Sequence, residues 1–333
     1  MESTEEVPLG GTGLTVTRVG LGTAALGGLY EVVADEAARA TIDRAWELGL
    51  RFFDTAPLYG HGLSEERLGA ALACRPRGDF VLATKVGRLL RAGAPPDDSQ
   101  LSGGLKRWPG VSPVNPVFDF SYDGVLRSVE ESLERLGLGR IDVLHIHDPD
   151  EHYEQARRGA YRALDRLRLD GTIDAVGAGM NQVELLVRFA RDADFDCFLL
   201  AGRYTLLDQS ALAELLPLCL ERGIAVILGG LFNSGILADP RPGITYDYSL
   251  APPELLERAR RIDAVCERHG VPLKAAALQF PLAHPAVAGV IAGVRRIEHL
   301  DEYPAFMRWP IPRGLWDELR ANGLVDPEAP TPV

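Results

Sequence analysis

Short apolar runs alternate along the chain with longer segments whose apolar residues recur at helical spacing. The runs are apolar nearly throughout, which is typical of strands that are buried on both faces of a sheet. The predicted strands are 17–23, 51–55, 80–86, 142–147, 174–179, 196–201, 225–230 and 287–293. The predicted helices are 34–49, 63–73, 122–137, 153–171, 182–193, 210–223, 252–270 and 297–306, with one more at 312–323.

These eight strand–helix pairs predict a parallel sheet, because strands joined by helices run in the same direction. Eight units favour a closed (β/α)8 TIM barrel, an α/β fold, over an open doubly wound sheet. No low-complexity linker divides the chain, so we predict a single domain over residues 1–333. The segment at about 91–120 is rich in Pro, Gly and Ser and is too long for an ordinary connection. It is therefore predicted to be a substrate loop.

The overall charge narrows the range of partners. The chain carries a formal net charge of −12 and has no run of Lys and Arg, which argues against nucleic acid. Its N-terminal stretch has no apolar signal core, and no apolar segment reaches the length of a membrane span. The four cysteines are too far apart to form a metal or redox pair. We expect a cytoplasmic protein that acts on a small molecule without a metal or a membrane partner, and its oligomeric state stays open.

The chemistry of a TIM barrel lies at the carboxyl ends of its strands. Asp54 ends the second predicted strand, Tyr59 lies in the loop after it, Lys85 is near the end of the third, and His147 ends the fourth. Taken alone, Asp54 could be a helix cap, Tyr59 a packed loop aromatic and His147 a core histidine. Lys85 is harder to explain, because a charge inside an apolar strand needs a partner or a polar cavity. The four residues together favour an active site.

These residue types suit proton transfer at a carbonyl or alcohol oxygen. A phenol has a pKa near ~10, and we expect the charge of Lys85 to lower it, so that Tyr59 can pass a proton near neutral pH. Asp54 would keep Lys85 charged and oriented. His147 would hold the substrate oxygen by a hydrogen bond. Such a site also needs a partner for a hydride.

Six segments resemble, in family order, the motifs of the aldo-keto reductases: "GLRFFDTAPLYGHGLSEERLG", "LATKVG", "DVLHIHDPD", "VGAGMNQ", "LGGLFNSGIL" and "VIAGVRRIEHLDEY". The resemblance covers nearly the whole chain. It implies a TIM barrel that binds NAD(P) without a Rossmann domain, and a catalytic tetrad of Asp54, Tyr59, Lys85 and His147 with Tyr59 as the general acid/base. His145 shares a strand face with His147, but His147 matches the family motif and lies nearer the strand end.

A second motif points to a different way of binding a dinucleotide. "GLGTAA" at 20–25 follows a predicted strand and fits the Rossmann fingerprint. A Rossmann unit would begin its helix within that turn and place an acid about 20 residues further on, whereas here the helix is delayed and the next strand-end acid comes much later. We therefore interpret Gly22 and Thr23 as lining the barrel mouth near the cofactor.

The resemblance implies that loops after the later strands hold much of the cofactor. The implied contacts are Gly22, Thr23, Asp54, Asn181, Gly229, Gly230, Phe232, Asn233, Ser234, Gly235, Leu237, Gly293, Arg295, His299 and Glu302. Donors in 229–237 would hold the pyrophosphate, and Asn181 would hold the nicotinamide carboxamide.

The chain departs from the commoner family pattern at several of these positions. Gly179 and Met180 replace a Ser–Asn pair, and Gly229 stands where an aromatic residue usually stacks on nicotinamide, so Phe232 could substitute. His299 and Tyr303 replace the residues usual in much of the family. We expect NAD or NADP as cofactor, with NAD slightly favoured.

"GAGMNQ" and "GGLFNSGIL" resemble one branch of the family, which includes dehydrogenases of L-fucose, L-galactose and D-threo-aldoses and pyridoxal 4-dehydrogenase. This implies oxidation of a cyclic hemiacetal to a lactone. The expected substrate contacts are Tyr59 and His147, with Trp108, Phe118 and Phe120 from the 91–120 segment. Oxidation of an aldose is expected, and four alternatives stay open: a pyridoxal 4-dehydrogenase, an NADPH-dependent aldehyde or ketone reductase, a nucleotide-sensing regulatory subunit, and an isomerase without redox chemistry.

Overall fold

Eight parallel strands close into a barrel in the computed structural model, which describes residues 1–95, 101–102, 105–111, 114–247 and 249–332. In chain order the strands β1 to β8 are Val19–Gly22, Phe52–Asp54, Val81–Val86, Val143–His147, Ala175–Met180, Cys197–Ala201, Ala225–Gly229 and Val287–Gly293. Each strand pairs with the next, and β8 pairs with β1. The carboxyl ends of all eight strands therefore meet at one face, which we call the mouth. The predicted (β/α)8 fold is confirmed.

Helices surround this barrel. They are Asp35–Glu47, Leu63–Leu72, Tyr122–Leu136, Tyr153–Gln155, Tyr161–Leu169, Val183–Asp192, Leu215–Arg222, Pro253–Arg268, Leu273–Gln279, Ile297–Asp301, Tyr303–Arg308 and Arg313–Ala321. The helix predicted at 210–223 begins only at Leu215, because the Ala211 N–H donates to the carbonyl of Arg203 instead of starting a helix. Leu273–Gln279 was not predicted. Within the described ranges, no helix has the length and apolar character needed to cross a bilayer.

The inside of the barrel is closed at the end opposite the mouth. A short N-terminal hairpin, Glu6–Pro8 with Thr15–Thr17, brings Leu9 and Val16 into the same apolar cluster as Phe52. The sequence analysis missed this hairpin because strands of three residues show no clear period. A larger core fills the space between the strands and the helices. The mouth is thus the end that is left for chemistry.

The segment after β3 contains ordered hairpins instead of a wholly irregular loop. Arg88–Ala92 pairs with Val114–Phe118, and Leu101–Ser102 pairs with Leu105–Lys106. Parts of the predicted 91–120 loop, namely 96–100, 103–104 and 112–113, lie outside the described residues. A further hairpin, Thr245–Tyr246 with Ser249–Leu250, follows β7. Both insertions begin at carboxyl ends of strands, so they start at the mouth.

Candidate active site

A buried ion pair lies where β2 and β3 reach the mouth. Lys85 Nζ is 2.7 and 2.9 Å from the two carboxylate oxygens of Asp54, and it donates to the carbonyl of Thr55 at 2.8 Å. The side chains of Lys85 and Asp54 are 1% and 4% exposed. Phe52 and Ala83, two residues earlier on each strand, line the barrel interior, so strand alternation places the ion pair inside as well.

A chain of buried hydroxyl groups supports the Asp54 side of this pair. Thr23 Oγ1 donates to the carbonyl of Asp54 at 3.0 Å. Ser64 Oγ lies 2.7 Å from Thr23 Oγ1 and 2.9 Å from Thr55 Oγ1. The side chain of Thr23, a predicted cofactor contact, therefore fastens the loop after β1 to the end of β2. Sequence reasoning missed Thr55 and Ser64, because hydroxyls in a turn and a helix carry no spacing signal.

A buried carboxylate on the helix Leu63–Leu72 supports the Lys85 side. Glu65 accepts hydrogen bonds from Thr84 Oγ1 and from Arg135 Nε, both at 2.7 Å. The sequence indicated only an acid in the first turn of a helix at this position. In the structure Glu65 links that helix to β3 and to the helix Tyr122–Leu136, which fixes the strand that carries Lys85.

Tyr59 is held above the ion pair by a close contact between two loops. A Cβ on Gly60 would overlap the carbonyl of Gly27, and a Cβ on Gly27 would lie 2.8 Å from the carbonyl carbon of Tyr59. The ring centroid of Tyr59 is 4.6 Å from Lys85 Nζ and 5.9 Å from the His147 ring. The structure thus brings together the four residues that the sequence predicted to be catalytic.

Strand β4 carries two histidines on its inner face. His147 lies at the mouth, whereas His145 lies deeper, against Gly177, where a Cβ would overlap its ring. Burial, with the positive charges of Arg88 and Lys85, lowers the pKa of His147 well below its ordinary value. Burial also lowers the pKa of His145 to about 3. His147 is therefore a neutral imidazole that can donate a hydrogen bond to a substrate oxygen.

The proton of Tyr59 is held more tightly than the sequence suggested. Burial raises the pKa of Tyr59 above its ordinary value, and the opposing charge of Lys85 does not outweigh the loss of hydration. The expectation that Lys85 brings this pKa below the ordinary value is therefore wrong. Burial would lower the pKa of Lys85, but the charge of Asp54, together with hydrogen bonds to Asp54 and Tyr59, raises it above its usual range. Lys85 stays charged, and Tyr59 holds its proton at neutral pH.

A second charged pair lies beside His147, and sequence reasoning missed it. Arg88 Nη1 donates to the carbonyl of His147 at 3.2 Å, and Arg88 Nη2 donates to Asp148 Oδ2 at 3.2 Å. Asp148 Oδ2 is also 3.4 Å from His147 Nε2. The sequence shows only that Asp148 follows His147 directly and that Arg88 follows the strand that carries Lys85, and neither position indicates that the two side chains meet.

Glycines at two strand ends leave room at another part of the mouth. Gly229 and Gly293 end β7 and β8, whereas Gly22, which ends β1, is packed closely, because a Cβ there would overlap Ile291 Cγ2. A Cβ on Gly229 would come no closer than 3.9 Å to any neighbour, and one on Gly293 would have no neighbour within 4 Å. Such a wall without side chains fits a flat ring such as nicotinamide. Asn181, which follows β5, is half-buried, and its role as a cofactor contact stays a prediction.

The loop after β7 is held together by hydrogen bonds of its own. Asn233 Oδ1 accepts from Thr205 Oγ1 at 2.7 Å, and Asn233 Nδ2 donates to the carbonyl of Gly202 at 3.0 Å. The backbone N–H groups of Gly235 and Leu237 also donate within the loop, to the carbonyl of Phe232. Binding of the pyrophosphate by 229–237 stays a prediction. Asn233, Ser234 and Gly235 all have left-handed φ values, and Ser234 is exposed in this turn.

The remaining cofactor candidates lie on the β7 and β8 side. Phe232 packs against Tyr303 with ring centroids 6.3 Å apart, and stacking of Phe232 on nicotinamide stays a prediction. Glu302 accepts from Lys274 Nζ at 2.7 Å. Gly230, Arg295 and His299 are exposed, whereas Leu237 is fully buried in the core.

The three aromatic candidates for substrate contact lie in different environments. The Trp108 ring lies 5.8 Å from that of Tyr59 at an interplanar angle of 32°. Phe118 lies at the rim, with the guanidinium of Arg88 4.7 Å from its ring centroid. Phe120 is fully buried and stacks behind Phe118 at 6.0 Å. The structure therefore brings Trp108 into contact with Tyr59 and places Phe120 in the packing beneath the rim.

Comparison with known proteins adds the family. The Aldo/keto reductase family profile matches residues 18–321. The chain is 44% identical to pyridoxal 4-dehydrogenase of Microbacterium luteolum, over 98% of this chain and 99% of that protein. It is 41% identical to D-threo-aldose 1-dehydrogenase of a Pseudomonas species, over the full length of both. The holo form of an aldo-keto reductase from Bacillus halodurans has a similar fold, with a TM-score of 0.74 and 24% identity over 96% of each chain.

This chain belongs to the aldo/keto reductase family. It is a nicotinamide-dependent oxidoreductase that acts on CH–OH or carbonyl groups, as the motifs predicted. The comparisons thus favour redox chemistry over the isomerase and the regulatory subunit that the sequence left open. The arrangement at the mouth agrees with this chemistry: Tyr59 can exchange a proton with a substrate oxygen, and His147 can donate a hydrogen bond to the same oxygen.

Replacing Asp54 by Asn should destabilise the fold, because Lys85 then loses the carboxylate that compensates its buried charge. We expect a loss of about 3–5 kcal/mol in the free energy of unfolding near pH 7. Without Asp54, burial lowers the folded-state pKa of Lys85 below its unfolded value of about 10.4, so the stability of the variant should recover as pH rises towards that value. In the wild type the pKa of Lys85 is raised, so its contribution to the free energy of unfolding stays constant between neutral pH and the unfolded-state pKa.

Denaturant unfolding at several pH values between 7 and 10 measures this difference. Asp301→Asn is the matched control, because it removes an exposed acid that pairs with Arg44. It should cost no more than about 1 kcal/mol. Equal pH slopes for Asp54→Asn and the wild type would contradict a charged, carboxylate-dependent Lys85.

The raised pKa of Tyr59 predicts opposite pH profiles for the two directions of the reaction. Oxidation of an alcohol needs the phenolate, so its kcat/KM should rise about tenfold per pH unit above neutrality. Reduction of a carbonyl needs the phenol, which is already protonated, so its kcat/KM should be flat there. Lys85→Met removes the charge that opposes the effect of burial on the pKa of Tyr59. The rise of kcat/KM for oxidation should therefore move to higher pH in this variant.

Steady-state rates from pH 6.5 to 10 check this prediction. Lys274→Met is the control, because it removes a lysine charge from the ion pair with Glu302. The pH dependence of kcat/KM for oxidation should stay as in the wild type. If kcat/KM for oxidation did not change with pH, or if its rise occurred at the same pH in Lys85→Met, Tyr59 would not be the titrating group.

Proposed function

We propose that this member of the aldo/keto reductase family oxidises the cyclic hemiacetal of an aldose to a lactone. The observation that carries the proposal is the convergence of Tyr59 and a neutral His147 on one space at the barrel mouth, with ring centroids 5.9 Å apart. Two groups that hydrogen-bond to one substrate oxygen suit a reaction in which that oxygen changes from a hydroxyl to a carbonyl. The 41% identical relative is named for such a reaction on D-threo-aldoses.

The residues of the chain would divide the reaction as follows. The Tyr59 phenolate takes the proton of the anomeric hydroxyl, while His147 donates a hydrogen bond to the same oxygen as it becomes the lactone carbonyl. Oxidised nicotinamide, when bound, would supply the acceptor for the hydride of the anomeric carbon. Lys85 stabilises the phenolate that begins the cycle, and Asp54 keeps Lys85 charged.

We infer that NAD is slightly favoured over NADP as the cofactor. Glu302 is occupied by Lys274, and the guanidinium of Arg295 lies 5.3 Å from the ring centroid of Tyr30. Arg295 therefore already has an aromatic partner, although it could also meet a 2′-phosphate. Neither contact builds a dedicated site for that phosphate.

Pyridoxal is the second candidate substrate, and the 44% identical relative favours it. Its aldehyde can close to a cyclic hemiacetal, so oxidation would use the same proton and hydride steps. An NADPH-dependent reduction of simple aldehydes is the third possibility, because the same residues serve the reverse direction.

The absorbance of reduced nicotinamide separates these substrates. L-fucose, L-galactose, D-arabinose and pyridoxal are each mixed with the protein and either NAD+ or NADP+. Tyr59→Phe should abolish the signal, and Tyr161→Phe, which changes a tyrosine on an outer helix, should retain it. We expect growth of the signal with at least one sugar. A signal with pyridoxal alone, or only the consumption of NADPH by simple aldehydes, would contradict the aldose proposal.

A further inference from the structure

The second charged pair at the mouth is built differently from the ion pair of Lys85 and Asp54. The Arg88 side chain is 6% exposed, whereas that of Asp148 is 35% exposed. Arg88 directs one donor to the carbonyl of His147 and another to Asp148 Oδ2. Phe118 covers its guanidinium at 4.7 Å. The buried guanidinium of Arg88 thus holds the Asp148 carboxylate, which is itself partly exposed at the mouth.

The backbone also holds Asp148 in an unusual conformation. Its φ is +41°, in the left-handed region that few residues other than glycine and Asn or Asp adopt. The Asp148 N–H donates to the carbonyl of Gly179 on β5 at 3.0 Å. The turn after β4 is therefore fixed on both sides, and it directs the carboxylate back towards His147.

The carboxylate does not act as a hydrogen-bond partner that orients His147. Asp148 Oδ2 lies 3.4 Å from His147 Nε2, which is long for a hydrogen bond between these atoms. His147 is neutral because burial lowers its pKa, so the two side chains form no ion pair. The carboxylate is instead an acceptor close to the atom that would hold the reacting oxygen.

We propose that Asp148 determines substrate specificity by accepting a hydrogen bond from the hydroxyl on the carbon next to the reacting carbon. This inference rests on the proposed oxidation of an aldose. Vicinal oxygens of a sugar lie close enough together for one to meet the donor of His147 while the other meets the acceptor of Asp148, since these two protein atoms are 3.4 Å apart. Arg88 holds the carboxylate in place by a hydrogen bond, and hydrogen bonds to carboxylates are among the strong ones. An anionic group at that substrate position would be repelled.

Paired sugars that differ in one hydroxyl test this role. D-arabinose and 2-deoxy-D-ribose form one pair, and L-fucose and 2-deoxy-L-fucose form another. The wild type should oxidise the 2-hydroxylated sugar with a kcat/KM about 10- to 100-fold higher than its 2-deoxy partner. In Asp148→Asn this ratio should fall towards one, mainly because kcat/KM for the hydroxylated sugar drops.

The control variants keep this result interpretable. Asn adopts left-handed φ as readily as Asp, so Asp148→Asn preserves the turn, and a thermal unfolding curve checks that it folds. Asp150→Asn removes the same charge from a neighbouring exposed position and should leave the ratio as in the wild type.

The outcomes separate the inference from the proposed function. Equal losses for both sugars in Asp148→Asn would mean that Asp148 acts through His147 or the fold, and the inference would be wrong. A wild-type ratio near one would overturn it as well. If the wild type oxidised no aldose of either pair, the proposed function would fail and the inference with it.

Discussion

The buried ion pair between Lys85 and Asp54 is the constraint on which the rest of the site depends. A lysine inside a barrel loses its hydration, and only a carboxylate at hydrogen-bond distance keeps it charged there. The hydroxyl chain of Thr23, Ser64 and Thr55 and the carboxylate of Glu65 then hold the two strands that carry the pair. The catalytic phenol is placed above this pair, so its proton responds to a charge that the fold maintains.

Glycines at a few positions give the groups of the site the room they need. A Cβ on Gly177 would overlap the ring of His145. Gly27 and Gly60 let two loops touch so that Tyr59 reaches the mouth. Gly229 leaves one part of the mouth open. The packing of a histidine, the position of Tyr59 and the space for a flat cofactor thus each depend on a missing side chain.

The fold, and the meeting of Asp54, Tyr59, Lys85 and His147 at the mouth, were predictable because they depend on periodicity and on strand ends. Eight buried runs in alternation with helices are compatible with few topologies. In a barrel the carboxyl ends of the strands lie on one face, so the polar residues at those ends were expected to lie close together. Contacts between side chains far apart in sequence were not predictable. Arg88 contacts Asp148, and Arg135 contacts Glu65, only once the strands have formed the barrel. The direction of the Tyr59 pKa shift was mispredicted for a related reason: burial, which sequence does not quantify, outweighs a nearby charge.

Transfer of deuterium tests the central claim most directly, namely that this mouth oxidises an aldose by passing a hydride to nicotinamide. An aldose of the L-fucose or D-arabinose type, deuterated at the anomeric carbon, is incubated with the protein and NAD+ or NADP+. The products are then analysed by NMR. The account predicts a lactone and deuterium at C4 of the reduced nicotinamide. Deuterium that stays on the sugar, or that is lost to water without formation of reduced nicotinamide, would contradict it.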